Sequence, residues 1–317
     1  MRYVVTGSAG FIGRHVCAEL LQSGNQVVGI DSFTDYYDTA IKRANANALA
    51  EYDGFEGVEM NLSEGELDEV FDSADAVIHL AGQPGVRLSW AEHFHVYVDR
   101  NITASQRVLE SVRRTRVPRL VLASSSSVYG NASEYPTPED APTRPFSPYG
   151  VTKLAMEQLA WAYADNWGVP IAVLRYFTVY GPGQRPDMGM HRFIAKAAAG
   201  EPVVVYGDGE QVRDFTYVSD VAAATVAAAN ADLPPAALFN VSGGSSSTVN
   251  DVLRLVAESV GRELTVLKES NQPGDVRITG GAIDRARRQL GWEPAIPLEE
   301  GTKRQVVHQL AGDQEVR

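Results

Sequence analysis

A glycine-rich turn between an apolar segment and a helical pattern is the most restrictive feature of this sequence. Residues 3–5 are apolar, which predicts a buried strand, and three glycines then follow at intervals of three residues. Glycine permits a tight turn and lets backbone N–H groups approach a phosphate closely. A helix that begins in the turn directs the positive end of its dipole at that anion. We therefore predict a dinucleotide-binding turn, the alternative being a glycine-rich turn without a ligand, and its residues are Gly7, Gly10, Phe11, Ile12 and Gly13.

An acidic residue ends the next predicted strand. Residues 26–30 are largely apolar, and Asp31 follows them. The interval from the glycines suits a carboxylate that accepts hydrogen bonds from the ribose hydroxyls of a dinucleotide. Because a carboxylate at this position repels a 2′-phosphate, NAD is favoured over NADP.

Predicted strands and helices alternate along the first half of the chain. Such alternation favours a parallel sheet covered by helices on both faces. We therefore expect an α/β fold with a Rossmann-type doubly wound parallel sheet and a smaller mixed α/β substrate-binding lobe. Strands are expected near residues 2–6, 26–30, 56–60, 75–80, 119–123 and 170–175, and helices near residues 11–22, 38–50, 64–71, 91–116 and 148–167.

The second half of the chain mixes short strands with helices. Helices are expected near residues 222–230, 249–260, 282–290 and 298–311, with a Gly/Ser loop over residues 240–248. We expect the chain to leave the first lobe near residue 176 and to cross back at least once. The predicted NAD-binding domain spans residues 1–175 with a return segment near 214–238, and the substrate-binding lobe spans residues 176–213 and 239–317.

The composition argues against several other classes of protein. The formal net charge of −12 is opposite in sign to that of a typical nucleic-acid-binding protein. Cys17 is the one cysteine, so no internal disulfide can form, and the six histidines show no metal-ligand spacing. No apolar run is long enough to span a membrane, and no signal peptide is recognised before the first strand. We expect a cytoplasmic protein without a metal, a nucleic-acid partner or a membrane partner.

The segments that follow the predicted strands are the candidate ligand-binding loops, since ligands bind at the carboxyl ends of parallel strands. Small residues within the segment 81–86 would let the backbone pass under a dinucleotide, and four serines occupy positions 124–127. An ordinary strand-to-helix loop is the alternative reading of each segment. His79 lies in an apolar strand, so we expect a hydrogen-bonded core histidine rather than a catalytic one.

Tyr149 and Lys153 are four residues apart in a predicted helix, so they share one helical face. The spacing alone is also compatible with a surface tyrosine beside a lysine that extends toward the solvent. Five prolines between positions 136 and 148 predict that the preceding segment is a loop.

Taken together, these segments resemble the extended short-chain dehydrogenase/reductase family, in particular its nucleotide-sugar epimerases. The resemblance covers nearly the whole chain. Its motifs are TGSAGFIG at 6–13, HLAGQPGV at 79–86, ASSSSVYG at 123–130, YGVTK at 149–153, RYFTVYGPGQRPDM at 175–188 and GDGEQVRDFTYVSDVA at 207–222.

The resemblance implies roles for three catalytic residues. Tyr149 would be the general base, and Lys153 would lower its pKa and bind the nicotinamide ribose. Ser125 would hydrogen-bond the sugar hydroxyl and assist proton transfer. In related 4,6-dehydratases an Asp-Glu pair follows the catalytic threonine, and related decarboxylases carry a glutamate before Val-Tyr-Gly. Here Ser126 and Ser127 stand at those positions, so both alternative reactions lose a required group.

The resemblance also implies the remaining site residues. Beyond the turn and Asp31, the implied cofactor contacts are Asn61, Leu62, Ala81, Gly82, Gln83, Tyr149, Lys153 and Tyr176. The implied substrate contacts are Ser125, Ser126, Ser127, Thr178, Arg185, Arg192, Arg213 and Asp275. Arg185 would bind a uronate carboxylate, because a guanidinium matches carboxylate geometry, although a pairing with Asp187 or a phosphate is the alternative.

The function implied by the resemblance is NAD-dependent C4 epimerisation of a UDP-uronic acid, UDP-glucuronate to UDP-galacturonate, through a 4-keto intermediate and without decarboxylation. The NAD would be tightly bound and regenerated in each turnover. The alternatives are 4-epimerisation of UDP-glucose or a UDP-N-acetylhexosamine, and then decarboxylation of UDP-glucuronate. A non-catalytic NAD-binding sensor is the alternative of a different class. A homodimer, formed through the helices near 91–116 and 148–167, is also expected.

Overall fold

A seven-stranded parallel sheet forms the centre of the computed structural model, which describes the backbone of residues 1–315 and the side chains of residues 1–311. The spatial order of its strands is β11-β6-β5-β4-β1-β2-β3, and every neighbouring pair is parallel. This order confirms the predicted doubly wound sheet. The strands are β1 (Arg2–Thr6), β2 (Gln26–Asp31), β3 (Phe55–Glu59), β4 (Ala76–His79), β5 (Leu120–Ser125), β6 (Ile171–Tyr176) and β11 (Ala236–Val241).

Helices cover both faces of this sheet, which is why its central strands are apolar on both sides. Alternate side chains of a strand point to opposite faces. Val5 accordingly packs in one hydrophobic core with α1 and α8, and Val4 in the other core with α5 and α6. The helices are α1 (Phe11–Gln22), α2 (Thr39–Ala50), α3 (Asp68–Phe71), α4 (Phe94–Tyr97), α5 (Ala104–Thr115), α6 (Pro148–Trp167), α7 (Gly189–Ala199), α8 (Val218–Asn230), α9 (Val249–Val260), α10 (Asp284–Leu290) and α11 (Leu298–Glu315).

Two predicted helices differ in form from the observed ones, and a third, expected near residues 222–230, begins one turn earlier as α8. The helix expected over residues 64–71 is reduced to the single turn α3, because Gly65 and the Asn61 carbonyl form a hydrogen-bonded turn before it, with an N···O distance of 2.8 Å. The helix expected over residues 91–116 is continuous but not uniform. A 3₁₀ turn precedes α4, and a π-helical segment, Val98–Thr103, separates α4 from α5.

In the part of the chain that the structure describes, three pairs of short strands lie outside the main sheet. The predicted Gly/Ser loop over residues 240–248 is wrong at both ends, because β11 extends to Val241 and Ser246 begins β12. Around these pairs, α7, α9 and α11 enclose a third hydrophobic core. The pairs are β7 (Val179–Tyr180) with β10 (Thr216–Tyr217), β9 (Val212–Asp214) with β12 (Ser246–Thr248), and β8 (Val203–Tyr206) with β13 (Val266–Glu269).

The chain returns to the main sheet after β10. Helix α8 packs against α1, and β11 pairs with β6 at one edge of the sheet. The division into an NAD-binding domain and a substrate-binding lobe stays a prediction. No helix in the described part of the chain is long and apolar enough to cross a membrane.

Candidate active site

A cavity of about 490 Å³ opens at the carboxyl ends of the main-sheet strands. This is where the topology of a doubly wound sheet places a ligand. The cavity is bordered by the segments that follow β1, β2, β4, β5 and β6. The residues expected at the site that line it are Gly7, Gly10, Phe11, Ile12, Gly13, Asp31, Asn61, Leu62, Ala81, Gly82, Gln83, Ser125, Ser126, Ser127, Tyr149, Lys153, Tyr176, Thr178 and Arg185.

The glycine turn leaves no room for side chains. Gly7 has φ of 72°, a left-handed conformation that favours glycine, and a Cβ there would lie 2.8 Å from the Ala81 nitrogen. A Cβ on Gly13 would overlap the Gly7 carbonyl oxygen. Gly10 caps α1, whose first turn carries no acidic side chain. The N-terminal N–H groups of α1 are therefore available to an anion in the cavity, as a dinucleotide pyrophosphate requires.

Asp31 is held in place by the backbone around it. Its carboxylate accepts hydrogen bonds from the Ala9 N–H at 3.2 Å and the Phe33 N–H at 2.8 Å. The carboxylate lines the cavity next to the glycine turn. A carboxylate oriented in this way can accept hydrogen bonds from ribose hydroxyls.

Lys42 also lines the cavity, although it was not among the predicted site residues. Its ammonium donates to the Thr34 carbonyl at 2.7 Å and to the Thr34 hydroxyl at 2.9 Å, and it lies over the Tyr37 ring. The helical spacing could have indicated it, because Lys42 shares one face of α2 with Asn45 and Leu49. That face is buried in the structure. Lys42 places a cation beside Asp31 at the expected ribose end of the cofactor.

A buried asparagine fixes the loop after β4, and sequence reasoning missed this residue as well. Asn101 accepts a hydrogen bond from the Gln83 N–H at 2.7 Å and donates to the Gln83 carbonyl at 3.0 Å. Its amide also donates to the Thr152 hydroxyl at 3.0 Å, one residue before Lys153. Since Asn101 lies in the π-helical segment, the irregular helix is what directs this amide at the loop. No spacing rule for a regular helix would have indicated it.

Tyr149 and Lys153 occupy the first two turns of α6. The helix begins at Pro148, and the Ser147 side chain caps it by accepting from the Gly150 N–H at 3.2 Å. Lys153 is buried, and its ammonium donates to the Ala123 carbonyl at 2.8 Å. The predicted shared face is thus observed, and it is directed at the end of β5 and the cavity.

The pKa values of this pair follow from burial and from nearby charges. Burial lowers the pKa of Lys153 to about 8, and the negative charge of Glu157 acts in the opposite direction. Burial raises the pKa of Tyr149, while a hydrogen bond from Ser125 and the positive charge of Arg185 lower it. Burial outweighs the two opposing effects, so the pKa of Tyr149 lies above that of a free tyrosine, and further positive charge beside the phenol would be needed for it to act as a base near neutral pH.

The serine loop after β5 presents hydroxyls to the cavity. The Ser125 hydroxyl accepts a hydrogen bond from the Ser127 N–H at 3.1 Å and begins the 3₁₀ turn Ser126–Val128. Ser126, Ser127 and Thr178 line both this cavity and a second one of about 180 Å³. The two cavities therefore meet at a set of neutral hydroxyls.

The second cavity contains the residues expected at the nucleotide end of a substrate. Arg213 and Asp275 line it, and burial lowers the pKa of Arg213. Arg87, which was not among the predicted site residues, forms an ion pair with Asp275 at 3.3 Å. Arg192 lies exposed on α7 and lines neither cavity, so the structure does not bring it to the site.

Arg185 lines the first cavity but already has an anionic partner within the chain. Its Nε and Nη2 atoms each donate to one oxygen of the Asp187 carboxylate at 2.9 Å. Burial acts to lower the pKa of Arg185, but the Asp187 carboxylate and nearby tyrosines outweigh it, so the pKa lies above its ordinary value. This is the alternative pairing stated from the sequence. A ligand carboxylate would have to bind the remaining donors of Arg185 or replace Asp187.

His79 is a hydrogen-bonded core residue, as expected. One ring nitrogen lies 2.7 Å from the Thr6 hydroxyl and the other 3.0 Å from the Ser105 hydroxyl. Burial and the nearby Lys153 charge lower its pKa to about 3, so the ring is neutral at physiological pH. Among the described residues, no group of three or more His, Cys, Asp or Glu side chains could hold a metal ion.

Comparisons with known proteins point to one family. Residues 3–242 match the family model described as the NAD dependent epimerase/dehydratase family. The chain is 38% identical to a UDP-glucose epimerase of Bacillus subtilis (strain 168) that is described as uncharacterized, over 97% of this chain and 98% of that protein. It is 40% identical to the UDP-glucuronate 4-epimerase of Thermodesulfobacterium geofontis (strain OPF15), over 96% of this chain and 94% of that protein.

The structural similarity is equally extensive. The crystal structure of UDP-glucuronic acid 4-epimerase from Bacillus cereus, in complex with UDP-glucuronic acid and NAD, superimposes with a TM-score of 0.95. The two sequences are 36% identical, and the match covers 98% of this chain and 99% of the other.

Proposed function

The chain belongs to the NAD dependent epimerase/dehydratase family, and we propose on that premise that it interconverts UDP-glucuronate and UDP-galacturonate. The observation that carries the proposal is the junction of the two cavities at Ser126, Ser127 and Thr178. A sugar that reaches from a diphosphate near Arg213 to Tyr149 would lie at this junction. The enzyme is an isomerase, because the proposed reaction inverts C4 without net oxidation.

The proposed mechanism assigns one role to each catalytic side chain. Tyr149 takes the proton of the sugar 4-hydroxyl, and Ser125 hydrogen-bonds the same oxygen. Lys153 supplies the positive charge that favours the Tyr149 phenolate, and it would hold the nicotinamide ribose of a bound NAD. NAD, when bound in the glycine turn, supplies a hydride acceptor for C4 that is restored when the hydride returns. Tyr149 then returns the proton to the oxygen of the epimeric alcohol.

The hydroxyls at the junction have a second proposed role. A carboxylate on C5 beside a C4 ketone forms a β-keto acid, which loses CO₂ when the breaking bond aligns with the carbonyl π system. Ser126, Ser127 and Thr178 would hold the carboxylate out of that alignment through neutral hydrogen bonds. None of the three can provide the acid–base pair that elimination of the C6 hydroxyl requires in the related 4,6-dehydratases.

Product analysis tests this proposal. Purified protein incubated with UDP-glucuronate should yield UDP-galacturonate and no CO₂, and Tyr149→Phe should abolish the conversion. Accumulation of a UDP-pentose would contradict the non-decarboxylating reaction. A Tyr149→Phe variant as active as the wild type would contradict the mechanism.

A neutral UDP-hexose is the second candidate substrate. The observation in its favour is that Asp187 already pairs with Arg185, so the charge expected to select a carboxylate is compensated within the chain. The ratio of kcat/KM for UDP-glucuronate to that for UDP-glucose distinguishes the two substrates. A ratio below one, unchanged by Arg185→Ala, would favour the neutral substrate.

We propose further that NAD stays bound between turnovers. The segment after β2 lies over the cavity and meets the loop after β7, where the Tyr36 hydroxyl donates to Asp187 at 3.3 Å and the Arg185 guanidinium lies near the Tyr36 ring. These contacts connect the loop beside Asp31 to the loop beside the substrate. Protein purified without added cofactor should therefore contain NAD.

A homodimer is the proposed assembly. Phe94, Val151 and Trp167 are exposed apolar side chains on α4 and α6, the helices expected to form a four-helix bundle with a second copy. Burial of such side chains would favour association.

We also propose a cytoplasmic location. The one cysteine, Cys17, is buried and unpaired, which suits a reducing compartment. Fractionation of the native host should recover the protein with cytosolic markers.

A further inference from the structure

The side chains of α6 that face β5 form a stripe at intervals of four residues. Tyr149, Lys153 and Glu157 lie on one helical face because successive members are about one turn apart. Each of them contacts a different residue at the end of β5. The partners, in the same order, are the Ser125 hydroxyl, the Ala123 carbonyl and the Ser124 hydroxyl. Three successive residues of the strand are thus attached to three successive turns of the helix.

Glu157 is the member of this stripe that the proposed mechanism does not use. Its side chain is 0% exposed and forms an ion pair with Arg175 of β6, which is 4% exposed. The Arg175 Nε atom donates to one carboxylate oxygen at 3.0 Å, and Nη2 donates to the other at 2.7 Å. The Ser124 hydroxyl donates to the same carboxylate. A bidentate pair with a third donor fixes both the position and the orientation of the carboxylate.

Arg175 extends this network to the far side of the serine loop. Its Nη1 atom donates to the Glu139 carbonyl at 3.0 Å, and its guanidinium lies 4.6 Å from the centre of the Tyr129 ring. The Tyr129 hydroxyl in turn donates to the Asn240 side chain at 2.7 Å. The Glu157–Arg175 ion pair therefore holds the chain at two points. Glu157 binds Ser124 near the end of β5, and Arg175 contacts the Tyr129 ring just after the serines.

We propose that Glu157 is a positioning residue for the epimerisation proposed above, on which this inference rests. Held by Arg175, it fixes Ser124 and thereby sets the register in which the Ser125 hydroxyl faces Tyr149. It acts through these neighbours and contacts neither substrate nor cofactor.

The charges around Lys153 agree with this placement. Glu157 is the acidic group that faces the Lys153 ammonium from α6, and it supports the protonated form against burial. His79 of β4 is neutral, and Arg185 faces Tyr149 from the loop after β7. The Arg175 guanidinium lies beyond the carboxylate, where it compensates Glu157.

Ser124→Ala tests the positioning role without disturbing the ion pair. With NAD bound, the phenolate absorbance of Tyr149 is read as the difference between each protein and its Tyr149→Phe counterpart. Loss of the correct Ser125 position should raise the midpoint of this titration by about half a pH unit, because the hydrogen bond from Ser125 favours the phenolate. In the same variant kcat should fall by about tenfold while KM stays within about twofold, because only proton transfer is impaired.

Glu157→Gln tests the contribution of the carboxylate charge. Glu157→Gln alone leaves Arg175 as an unpaired buried charge, so the double variant Glu157→Gln/Arg175→Met is tested as well. The Tyr149 midpoint should rise in both. Asp220→Asn is the matched control, since Asp220 is also buried and accepts hydrogen bonds from the Ala295 and Ile296 N–H groups, but lines neither cavity. It should lower Tm without moving the Tyr149 midpoint or kcat.

The outcomes separate this inference from the proposed function. A wild-type protein that does not convert UDP-glucuronate would contradict the proposed function, and the phenolate titration would still test the positioning role. Folded Ser124→Ala and Glu157→Gln/Arg175→Met variants with the wild-type midpoint would overturn the inference. A shift of equal size in Asp220→Asn would overturn it as well.

Discussion

Lys153 is a buried cation whose charge the proposed mechanism requires. Because burial lowers its pKa to about 8, the ammonium is present below that pH and is lost as the pH rises through it. We therefore predict that kcat declines above about pH 8, and a profile of kcat from pH 6 to pH 10 measures this. Lys153→Arg, which cannot lose its charge in this range, should shift any remaining decline to higher pH. A wild-type profile that is flat from pH 7 to pH 10 would exclude the assigned role.

Gly13 is a residue of α1 that packs directly against the backbone of the glycine turn at Gly7. Because a Cβ on this residue would overlap the Gly7 carbonyl oxygen, Gly13→Ala must displace the turn and should destabilise the fold by about 1–3 kcal/mol. The variant should also lose most of its NAD, as measured by the cofactor released on heating. Gly189→Ala is the control, because the space around that Cβ is ordinary and the residue begins α7. Full NAD content in Gly13→Ala would show that the turn does not hold the cofactor.

Single residues of the site differ in how well the sequence predicted them. The glycines and Asp31 follow from strict geometric requirements, such as a turn without Cβ atoms. Tyr149 and Lys153 were identified through the family resemblance, because a spacing of four in a helix is also compatible with a surface pair. The pairing of Arg185 with Asp187 depends on the conformation of an irregular loop, and the sequence left both partners open. Lys42 was missed because a lysine near the start of a helix usually faces the solvent.

Six of the seven strands of the main sheet were predicted, because most of them are short apolar runs between turn residues. The seventh strand, β11, was not predicted, and its last residues were assigned to a Gly/Ser loop. The π-helical segment, Val98–Thr103, was not predictable, since its residues fit the periodicity of an ordinary helix. Tertiary contacts decide its shape, above all the hydrogen bonds that Asn101 makes with both backbone groups of Gln83.

The hydrogen bonds of Asn101 therefore lead to a prediction about the π-helical segment. Asn101→Ala leaves the buried Gln83 N–H without its acceptor, which should destabilise the protein by about 1–3 kcal/mol and weaken NAD binding. Urea unfolding with and without NAD measures both effects. Asn166→Ala, at an exposed position on α6, should change the stability by less than about 0.5 kcal/mol. Equal effects of the two substitutions would contradict a specific function for the π-helical segment.

The proposed dimer gives a prediction for the whole molecule. Val151 is 50% exposed on α6, so Val151→Asp places a charge in the expected four-helix bundle. Light scattering should give twice the 34.3 kDa chain mass for the wild type and a lower mass for the variant. Val307→Asp is the matched control, because Val307 is 69% exposed on α11, outside the expected bundle. A wild-type monomer, or a dimer unaffected by Val151→Asp, would exclude this interface.

The whole-molecule arrangement was only partly accessible from the sequence. Strand and helix alternation predicted the doubly wound sheet, because parallel strands need crossover helices. The three small strand pairs were not predicted, since segments of two to four residues carry too little periodicity. The meeting of the two cavities at Ser126, Ser127 and Thr178 joins distant segments and emerges only from the fold.

Isotope retention tests the central claim most directly. UDP-glucuronate labelled with deuterium at C4 is incubated with protein purified without added NAD, and the products are analysed. If the C4 hydride is transferred to a retained NAD and then returned to the same carbon, the UDP-galacturonate should keep its deuterium at C4. No CO₂ should be released. Loss of the deuterium to solvent, a requirement for NAD in every turnover, or formation of a UDP-pentose would contradict the account.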